Sequence, residues 1–519
     1  MNLDDNKRIT KEIAMFSAKH GLFRTSVAAP ALACALVLAA APATFAQQVV
    51  IAQSTDATSM DPAFRGDTAT GNIQRHIFDT VLQRGADMEI GPALAESVER
   101  ETETQWLVKL RPDISFSNGE PVDAQALKFS IERAASDELA APTQGWWKGF
   151  TSTEIVDAQT LRITTSGPDP LFRARMTLLA PVPPKYLGDV GEEEFARKPI
   201  GSGPYVLDEW RQGEAVTLSR NPDYWGEPPA IETVVFRVVP EELSRISALR
   251  TGEADVVAAL SPTQAAALEA EDDIRVGRTP GTRVMVIQFD DTLPPGDNLK
   301  FRQAVSKAIN RDAIIKGLLK GYGVPVNSIL SPGIPEWPKG TDYTHSYDLE
   351  GAKALFAELQ LPGDAIVLRS PSARYPNDRE TALAVGQQLQ EAGLNVEVRP
   401  EEWGRFFDDL KNGEVSPLYL MGQGNVWLDP YPQVQAFHAS DGFLSTWDDE
   451  QLDSLLAESN QVSVDERAQV FDKTLRHVAD TVAAVPLYAQ EVLYGISSDI
   501  TWQPRPDEQI LATEMTVAE

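Results

Sequence analysis

Strand patterns and helix patterns alternate along the chain from about residue 281 onward. The clearest strand patterns are Val284–Phe289, Ile366–Arg369, Val396–Arg399 and Leu418–Met421. Apolar residues at helical spacing lie between them, as at Phe301, Val305 and Ile309. This alternation favours an α/β lobe built on a mixed sheet.

Similar patterns precede residue 281 with longer connections between them. The predicted strands are Val49–Ala52, Trp106–Leu110, Leu161–Thr165, Val216–Ser219 and Val234–Val239. Helical spacing joins Ile73, Ile77 and Val81, and also Leu127 and Ile131. At 519 residues the chain is long enough for two to four compact units.

The N-terminal segment reads as a targeting signal. Basic residues, among them Lys19 and Arg24, precede the apolar run 31–41, and small residues follow up to Ala46. This order predicts a secretory signal peptide over residues 1–46, cleaved after Ala46, with Met15 as a second candidate start. The run is too short to remain as a membrane anchor. The only cysteine, Cys34, lies inside it, so we expect no disulfide and no thiolate chemistry in the mature chain.

Charge excludes one large class of partner. The chain has 76 acidic and 46 basic residues, a formal net charge of −30. Nucleic-acid binding requires a clustered positive surface that releases counterions, and no such segment is present in the sequence. We therefore expect an exported acidic protein that does not bind nucleic acid.

Signals for catalysis or metal binding are weak. The five histidines are scattered, without an HExxH pattern: His20, His76, His345, His438 and His477. The segment 201–205 lacks the G-x-S-x-G pattern of a nucleophile elbow and reads as a tight crossing turn. We expect no metal, no cofactor and no catalytic residue. The carboxylate pairs leave an exported glycosidase-like hydrolase as a rival hypothesis.

Tryptophans outside the periodic apolar runs are more informative. Trp146, Trp147, Trp403 and Trp427 stand beside turn residues and polar side chains. Aromatic rings next to a few directed polar groups suit a small polar ligand. The alternative is that these rings close hydrophobic cores, since each buries a large area.

Several blocks of sequence resemble the peptide-type family 5 of solute-binding proteins that serve ABC importers, which includes dipeptide, oligopeptide, glutathione, nickel and opine binders. They occur in the order found in that family and cover essentially the whole mature chain. The blocks are Met60-Asp61-Pro62, residues 77–82, 92–97, 106–111 and 116–122, Pro199–Tyr205, Arg220–Trp225, residues 250–255 and residues 301–311.

The resemblance implies a two-lobed α/β fold of the type II periplasmic-binding-protein class with a small inserted domain. Lobe I would comprise 47–88, 200–280 and 488–519, the insert 89–199, and lobe II 281–487. The protein would be a periplasmic monomer without enzymatic activity. It would capture a solute between its lobes and deliver that solute to an ABC permease in the inner membrane.

The resemblance also implies ligand-binding positions. Glu402-Trp403 matches a ligand-contacting pair of the family, Arg374 lies near a carboxylate-binding position, and Trp146 and Trp147 fall near an aromatic contact of the insert. The predicted set also contains Asp67, Asn425, Trp427 and Asp429.

One position departs from the pattern of the peptide binders. They carry an acidic residue for the ligand's amino group three positions before an Asp-Pro pair, and Asp429-Pro430 places Val426 there. Either Asp429, Asp67 or another carboxylate replaces it, or the ligand has no free amino group at that place. The expected ligand is a short peptide or peptide-like solute, with an opine, an oligosaccharide or another polar solute as the alternative. A nickel chelate is less favoured because histidines are few.

Overall fold

The computed structural model describes residues 47–65, 67–335, 342–343, 346–361, 363–372, 374–462 and 464–518. The predicted leader through Ala46, with Met15, Cys34 and His20, lies outside these residues, and so does His345.

The strands are numbered in chain order over the described residues. They are β1 Gln48–Gln53, β2 Leu82–Arg84, β3 Ile90–Pro92, β4 Ala95–Arg100, β5 Gln105–Leu110, β6 Phe150–Asp157, β7 Thr160–Thr165, β8 Tyr205–Arg211, β9 Ala215–Arg220, β10 Thr233–Val238, β11 Val256–Val257, β12 Ile274–Phe289, β13 Gly323–Val324, β14 Ile366–Ser372, β15 Val396–Glu402, β16 Leu418–Gln423, β17 Ala484–Ser497, β18 Ile500–Thr501 and β19 Thr516–Val517.

The helices follow the same numbering. They are α1 Thr68–Ile77, α2 Ala124–Ala135, α3 Phe172–Met176, α4 Pro184–Val190, α5 Glu192–Phe195, α6 Glu242–Arg250, α7 Pro262–Leu268, α8 Leu299–Ala308, α9 Arg311–Ala313, α10 Leu349–Glu358, α11 Asp378–Glu391, α12 Trp403–Lys411, α13 Pro430–His438, α14 Glu450–Ser459 and α15 Val464–Thr481. Short 3-10 turns occur at Pro62–Phe64, Gln144–Trp146 and Ala512–Glu514, and a π turn at Ile314–Leu318. No helix among the described residues has the length and apolar character required to cross a bilayer.

A mixed sheet of eleven described strands organises most of the chain. Its order is β15-β14-β16-β12-β17-β11-β1-β10-β9-β8, with β13 also paired to β17. β14 is parallel to β15 and β16, and β1 is parallel to β10 and β11, whereas β12 is antiparallel to both β16 and β17. The predicted α/β class with a mixed sheet is confirmed.

The long pair β12 and β17 contributes to three separate hydrophobic cores. Val284 to Phe289 and Ala484 to Ala489 lie in a core made by residues 284–489. Further along the same pair, Tyr494 and Ile496 lie in a second core with β1 and β10, while Leu493 packs with α6 and α7. The two strands therefore connect these cores directly.

A smaller antiparallel sheet, β4-β5-β7-β6, carries a core of its own. Residues between 81 and 179 form this core, including Trp106 stacked on Phe172 with ring centroids 4.4 Å apart. Helix α2 packs against this sheet. Asp123 caps its N-terminus by accepting a hydrogen bond from the Ala126 backbone N–H at 2.9 Å. A stacked Trp–Phe pair stabilises the fold by more than the burial of its apolar area alone would.

The segment Pro199–Tyr205 crosses tightly against the end of α1, as the sequence predicted. The backbone N–H of Gly203 donates to the carbonyl of Ile77 at 2.9 Å. A Cβ at Gly201 would lie 2.0 Å from that same carbonyl oxygen. Only glycine fits there, because the obstructing atom belongs to the backbone and not to a side chain that could turn away.

We expect Gly201→Ala to lower the free energy of unfolding by about 1–3 kcal/mol, the usual penalty for forcing extra volume into a packed region. Urea denaturation followed by circular dichroism measures this change. Gly188→Ala is the matched control, since Gly188 lies in α4 with nothing within 4 Å of the added carbon. That control should be neutral or stabilising by up to about 1 kcal/mol. Equal effects of the two variants would contradict the close-approach explanation.

Candidate functional site

A cavity of about 1000 Å³ opens between two groups of residues that are far apart in sequence. We call first wall the lining residues between 65 and 230 together with those between 505 and 516. We call second wall the lining residues Thr282, Arg283, Arg374, Gly424, Asn425, Val426 and Leu428. The volume lies at the upper end of small-molecule sites, so the cavity can enclose a solute larger than one amino acid.

Helix α1 carries much of the first wall. Asp67 caps its N-terminus by accepting from the Thr70 backbone N–H at 2.8 Å, and both Asp67 and Thr68 line the cavity. In the last turn of the helix, Arg75 donates to the Thr80 hydroxyl at 2.7 Å and to the Thr177 carbonyl. Its Nε is buried and has no hydrogen-bond partner among the described residues.

Three arginines of the first wall, Arg65, Arg75 and Arg505, lie close enough for their charges to interact, and Arg75 is buried. Burial, followed by the charges of Arg65 and Arg505, lowers the pKa of Arg75 to about 9, although Asp507 and Asp79 act in the opposite direction. Arg505 is neutralised by Asp507 at 2.9 Å and by Glu514 at 2.6 Å. Arg65 makes no hydrogen bond or ion pair with any described residue, although Asp507 and Asp67 are close enough to raise its pKa against the effect of burial.

Asp79 follows the end of α1 and also lines the first wall. Its carboxylate accepts from the Trp225 indole N–H at 2.7 Å and from the Tyr224 hydroxyl at 3.2 Å. Burial raises the pKa of Asp79 to about 6, against the lowering effect of these hydrogen bonds and of the Arg75 charge. No cation lies within ion-pairing distance of it among the described residues.

The second wall is cationic. The guanidinium carbons of Arg283 and Arg374 each lie 5.1 Å from the centre of the Tyr375 ring. Arg374 also lies 5.1 Å from the Trp403 ring, and Arg283 donates to the Gly422 carbonyl at 3.3 Å. Neither arginine pairs with a carboxylate of the described chain, so both can bind an external anion.

Trp427 connects residues of the two walls. Its ring packs edge-on against Trp146 with centroids 5.0 Å apart and lies 5.5 Å from the Arg175 guanidinium. The Trp427 carbonyl accepts from Arg84 at 2.8 Å. The loop that follows β16 is thus held through Trp427 by three residues from separate parts of the chain, Arg84, Trp146 and Arg175.

The structure brings four of the eight predicted ligand residues to the cavity surface, and the other four are not among the lining residues. Asp67, Trp146, Arg374 and Asn425 line the cavity, whereas Trp147, Trp403, Trp427 and Asp429 do not. Their participation in binding stays a prediction.

Packing explains the placement of the second group. Trp147 is 3% exposed within the core of the small sheet, and Trp403 packs against Phe407 and beneath Arg374. Asp429 caps α13 and both of its oxygens are bound by Arg467, at 2.8 Å for one of them. Asn425 lines the cavity while its amide also shapes the loop, accepting from the Leu428 N–H at 2.9 Å.

The sequence reasoning missed Arg65, Arg75, Asp79 and Arg283 as cavity residues. Arg75 stands on the same helix as Ile73 and Ile77, and arginines on amphipathic helices usually face solvent. Asp79 belongs to the block 77–82 that carried the family resemblance, which was the available signal. Val426, at the departing position, is 69% exposed and lines the second wall.

Comparison with known proteins gives the family. The model of the bacterial extracellular solute-binding proteins, family 5 (middle region), matches residues 89–444. The chain belongs to family 5 of the bacterial extracellular solute-binding proteins. Members of this family act outside the cytoplasm as the solute-binding components of ABC importers.

Individual relatives are distant but match along most of the chain. The glutathione-binding protein GsiB of Escherichia coli K12 is 28% identical over 388 residues, covering 72% of this chain and 73% of that protein. The ABC transporter substrate-binding protein CtaP of Listeria monocytogenes superposes with a TM-score of 0.82 at 22% identity, covering 91% and 99%. DppA of Helicobacter pylori, solved with the peptide STSA, gives 0.74 at 23% identity, covering 91% and 98%. The predicted type II periplasmic-binding-protein fold is confirmed.

For this solute-binding protein we expect Asp429 to act through stability. Asp429→Ala would leave Arg467 buried without its counter-charge and remove the α13 cap, lowering the free energy of unfolding by about 3–5 kcal/mol. Asp408→Ala, which breaks an exposed ion pair with Lys411, should change it by less than about 1 kcal/mol. Chemical denaturation of both variants provides the measurement, and a harmless Asp429→Ala would contradict this assignment.

Proposed function

We propose that the protein captures a short peptide or peptide-like solute that carries a carboxylate, and delivers it to the permease of an ABC importer. One observation supports this most directly: Arg283 and Arg374 of the second wall form no ion pair with any carboxylate that the structure describes. A carboxylate bound there would gain two charge-assisted hydrogen-bond donors in a partly desolvated cavity.

The charge pattern favours a peptide-like ligand over its rivals. A neutral oligosaccharide would leave both arginines unpaired, while a zwitterionic peptide also engages the carboxylates of the first wall. The relative GsiB is a glutathione-binding protein, and glutathione is a tripeptide with two carboxylates and one ammonium. An opine remains an alternative with the same acidic chemistry. Since the relatives are named for binding, the proposed role includes no reaction.

The proposed mechanism is enclosure between two lobes. Lobe I would comprise 47–88, 200–280 and 488–519, the insert 89–199, and lobe II 281–487. Separate hydrophobic cores and the pair β12–β17 that connects them support this division. Ligand binding would shift the population toward the closed form that docks on the permease. We also propose that the mature periplasmic protein begins after Ala46 and acts as a monomer.

A thermal-shift panel tests the ligand class directly. Glutathione and trialanine should raise the melting temperature, whereas their C-terminally amidated forms and neutral oligosaccharides should raise it less. An oligosaccharide that stabilises the protein more than any acidic solute would overturn the proposal. Turnover of chromogenic glycosides would instead support the hydrolase hypothesis.

Arg374→Gln tests the carboxylate contact. It should weaken binding of the acid form of the preferred peptide by about 1.5–3 kcal/mol and leave the amide form nearly unchanged, because only the acid gains from the guanidinium. Calorimetric titration measures both affinities. Arg379→Gln is the matched control, since Arg379 is exposed on α11 away from the cavity. Equal losses for acid and amide would exclude Arg374 as the carboxylate site.

A double-mutant cycle tests the contact between Trp146 and Trp427. If this contact stabilises the closed form, replacing either ring by Ala should weaken ligand binding. The double variant should lose less than the sum of the two, with a coupling of about 0.5–1.5 kcal/mol. Titration of the four proteins with one peptide gives this number. Strict additivity would indicate that closure does not depend on the contact.

A further inference from the structure

In the part of the chain that the structure describes, carboxylates line only one side of the cavity. All six belong to the first wall, namely Asp67, Asp79, Glu227, Asp507, Glu508 and Glu514, and the second wall has none among the described residues. Val426 on the second wall offers no charge to a ligand ammonium. A zwitterionic solute with its carboxylate at Arg283 and Arg374 therefore points its ammonium toward the first wall.

Most of these carboxylates are already occupied or solvated. Arg505 binds Asp507 and Glu514, and the Thr68 hydroxyl lies 3.4 Å from Glu508. Both oxygens of Asp67 accept from Thr70, and Asp67 is exposed. Glu227 is exposed as well, so water competes for its charge.

Asp79 differs from the other five. It is enclosed by protein, and its hydrogen bonds come from the neutral donors Trp225 and Tyr224, with the neutral Ser202 hydroxyl also close enough to lower its pKa. It makes no ion pair with a described residue. The carboxylate retains an unused acceptor direction, since it offers about four. The charge of Arg75 lowers the pKa of Asp79 without forming an ion pair with it, so the desolvated carboxylate is only partly compensated. An ammonium ion entering the cavity would stabilise it further.

We propose that Asp79 binds the ammonium group of the solute and so replaces the acidic residue that is missing at Val426. This inference rests on the proposed function, and it fixes the polarity of the ligand: amino group to the first wall, carboxylate to the second. The solute class is narrowed to zwitterionic peptides with a free amino group.

Binding through Asp79 is coupled to pH. The charged and titratable groups that face Asp79 are Arg75 on α1 and Tyr224 after β9, and Arg111 lies 5.8 Å from the Trp225 ring. Burial raises the pKa of Asp79 to about 6, and an ammonium partner requires the ionised form. Affinity for a free-amine peptide should therefore fall about tenfold from pH 7 to pH 5, as the ionised fraction falls.

The experiment compares glutathione and trialanine with their N-acetylated derivatives, by calorimetric titration at pH 7 and pH 5. In the wild-type protein the free amine should bind more tightly at pH 7, and this preference should shrink about tenfold at pH 5. Asp79→Asn should abolish both the preference and its pH dependence. Asp223→Asn, an exposed neighbour in the same segment, should retain both.

Stability gives a readout that separates binding from a structural role. The raised pKa of Asp79 means that its ionisation destabilises the folded protein as pH rises through about 6. Asp79→Asn should therefore raise the melting temperature of the ligand-free protein at pH 8, relative to wild type. A lowered melting temperature with an unchanged preference for the free amine would show a structural role and overturn the inference.

Each failure has its own signature. If neither peptide binds wild type in either form, the proposed function fails and this inference falls with it. If both forms bind wild type equally at both pH values, only the Asp79 assignment fails. This comparison of free-amine and N-acetylated peptides uses the wild-type protein alone. It can therefore contradict the Asp79 assignment even if Asp79→Asn does not fold.

Discussion

The pairing of β12 with β17 determines where the second wall of the cavity can be. The antiparallel ladder runs from Ile274 opposite Ser497 to Gln288 opposite Ala484, but its register shifts between Pro280 and Val284. Four residues advance on β12 there while two advance on β17. Thr282 and Arg283, which lie inside this irregularity, line the cavity instead of pairing in the ladder. A bulge of this kind redirects side chains where a regular strand would bury them.

Rigid cores on both sides of the bulge keep Arg283 in place. The ladder residues that follow it, Val284 to Phe289, are fully buried, so the strand cannot slide without exposing a row of apolar side chains. Tyr375 then fixes the separation of the two arginines, since both guanidinium groups pack at the same distance from its ring. Trp403 supports Arg374 from behind. The aromatic residues beside this wall thus serve mainly to position the two arginines, and less to provide a stacking surface for a ligand.

The sequence was sufficient for the strands and helices with clear apolar periodicity, but not for all elements or for the contacts between them. Strands such as Val396–Arg399 and Leu418–Met421 were predictable because apolar residues recur with clear periodicity over a few positions. Strand β17 escaped because Ala484–Ala489 is buried on both faces and shows no alternation. Arg374 and Trp146 could be placed through a family resemblance. That Trp403 lies beneath Arg374, or that Arg467 binds Asp429, depends on contacts between segments that share no local pattern.

The proposed capture of an acidic solute by so acidic a protein can be explained by distance. Repulsion by the net charge of the protein is screened outside the cavity, whereas attraction by the arginines acts inside it. The chain has a net charge of −30, which repels anions at a distance, but at physiological salt this field decays over about 8 Å. Inside the cavity less water is present and screening is weaker, so in the proposed complex Arg283 and Arg374 act on the bound carboxylate at close range. The carboxylates of the first wall then restrict which acidic solutes remain. A simple anion has no positive group to pair with Asp79. A zwitterion can place its ammonium at the carboxylates of the first wall and its carboxylate at the arginines of the second wall. On this proposal, selection comes from the arrangement of charges inside the cavity, and the net charge of the surface mainly affects the rate of encounter.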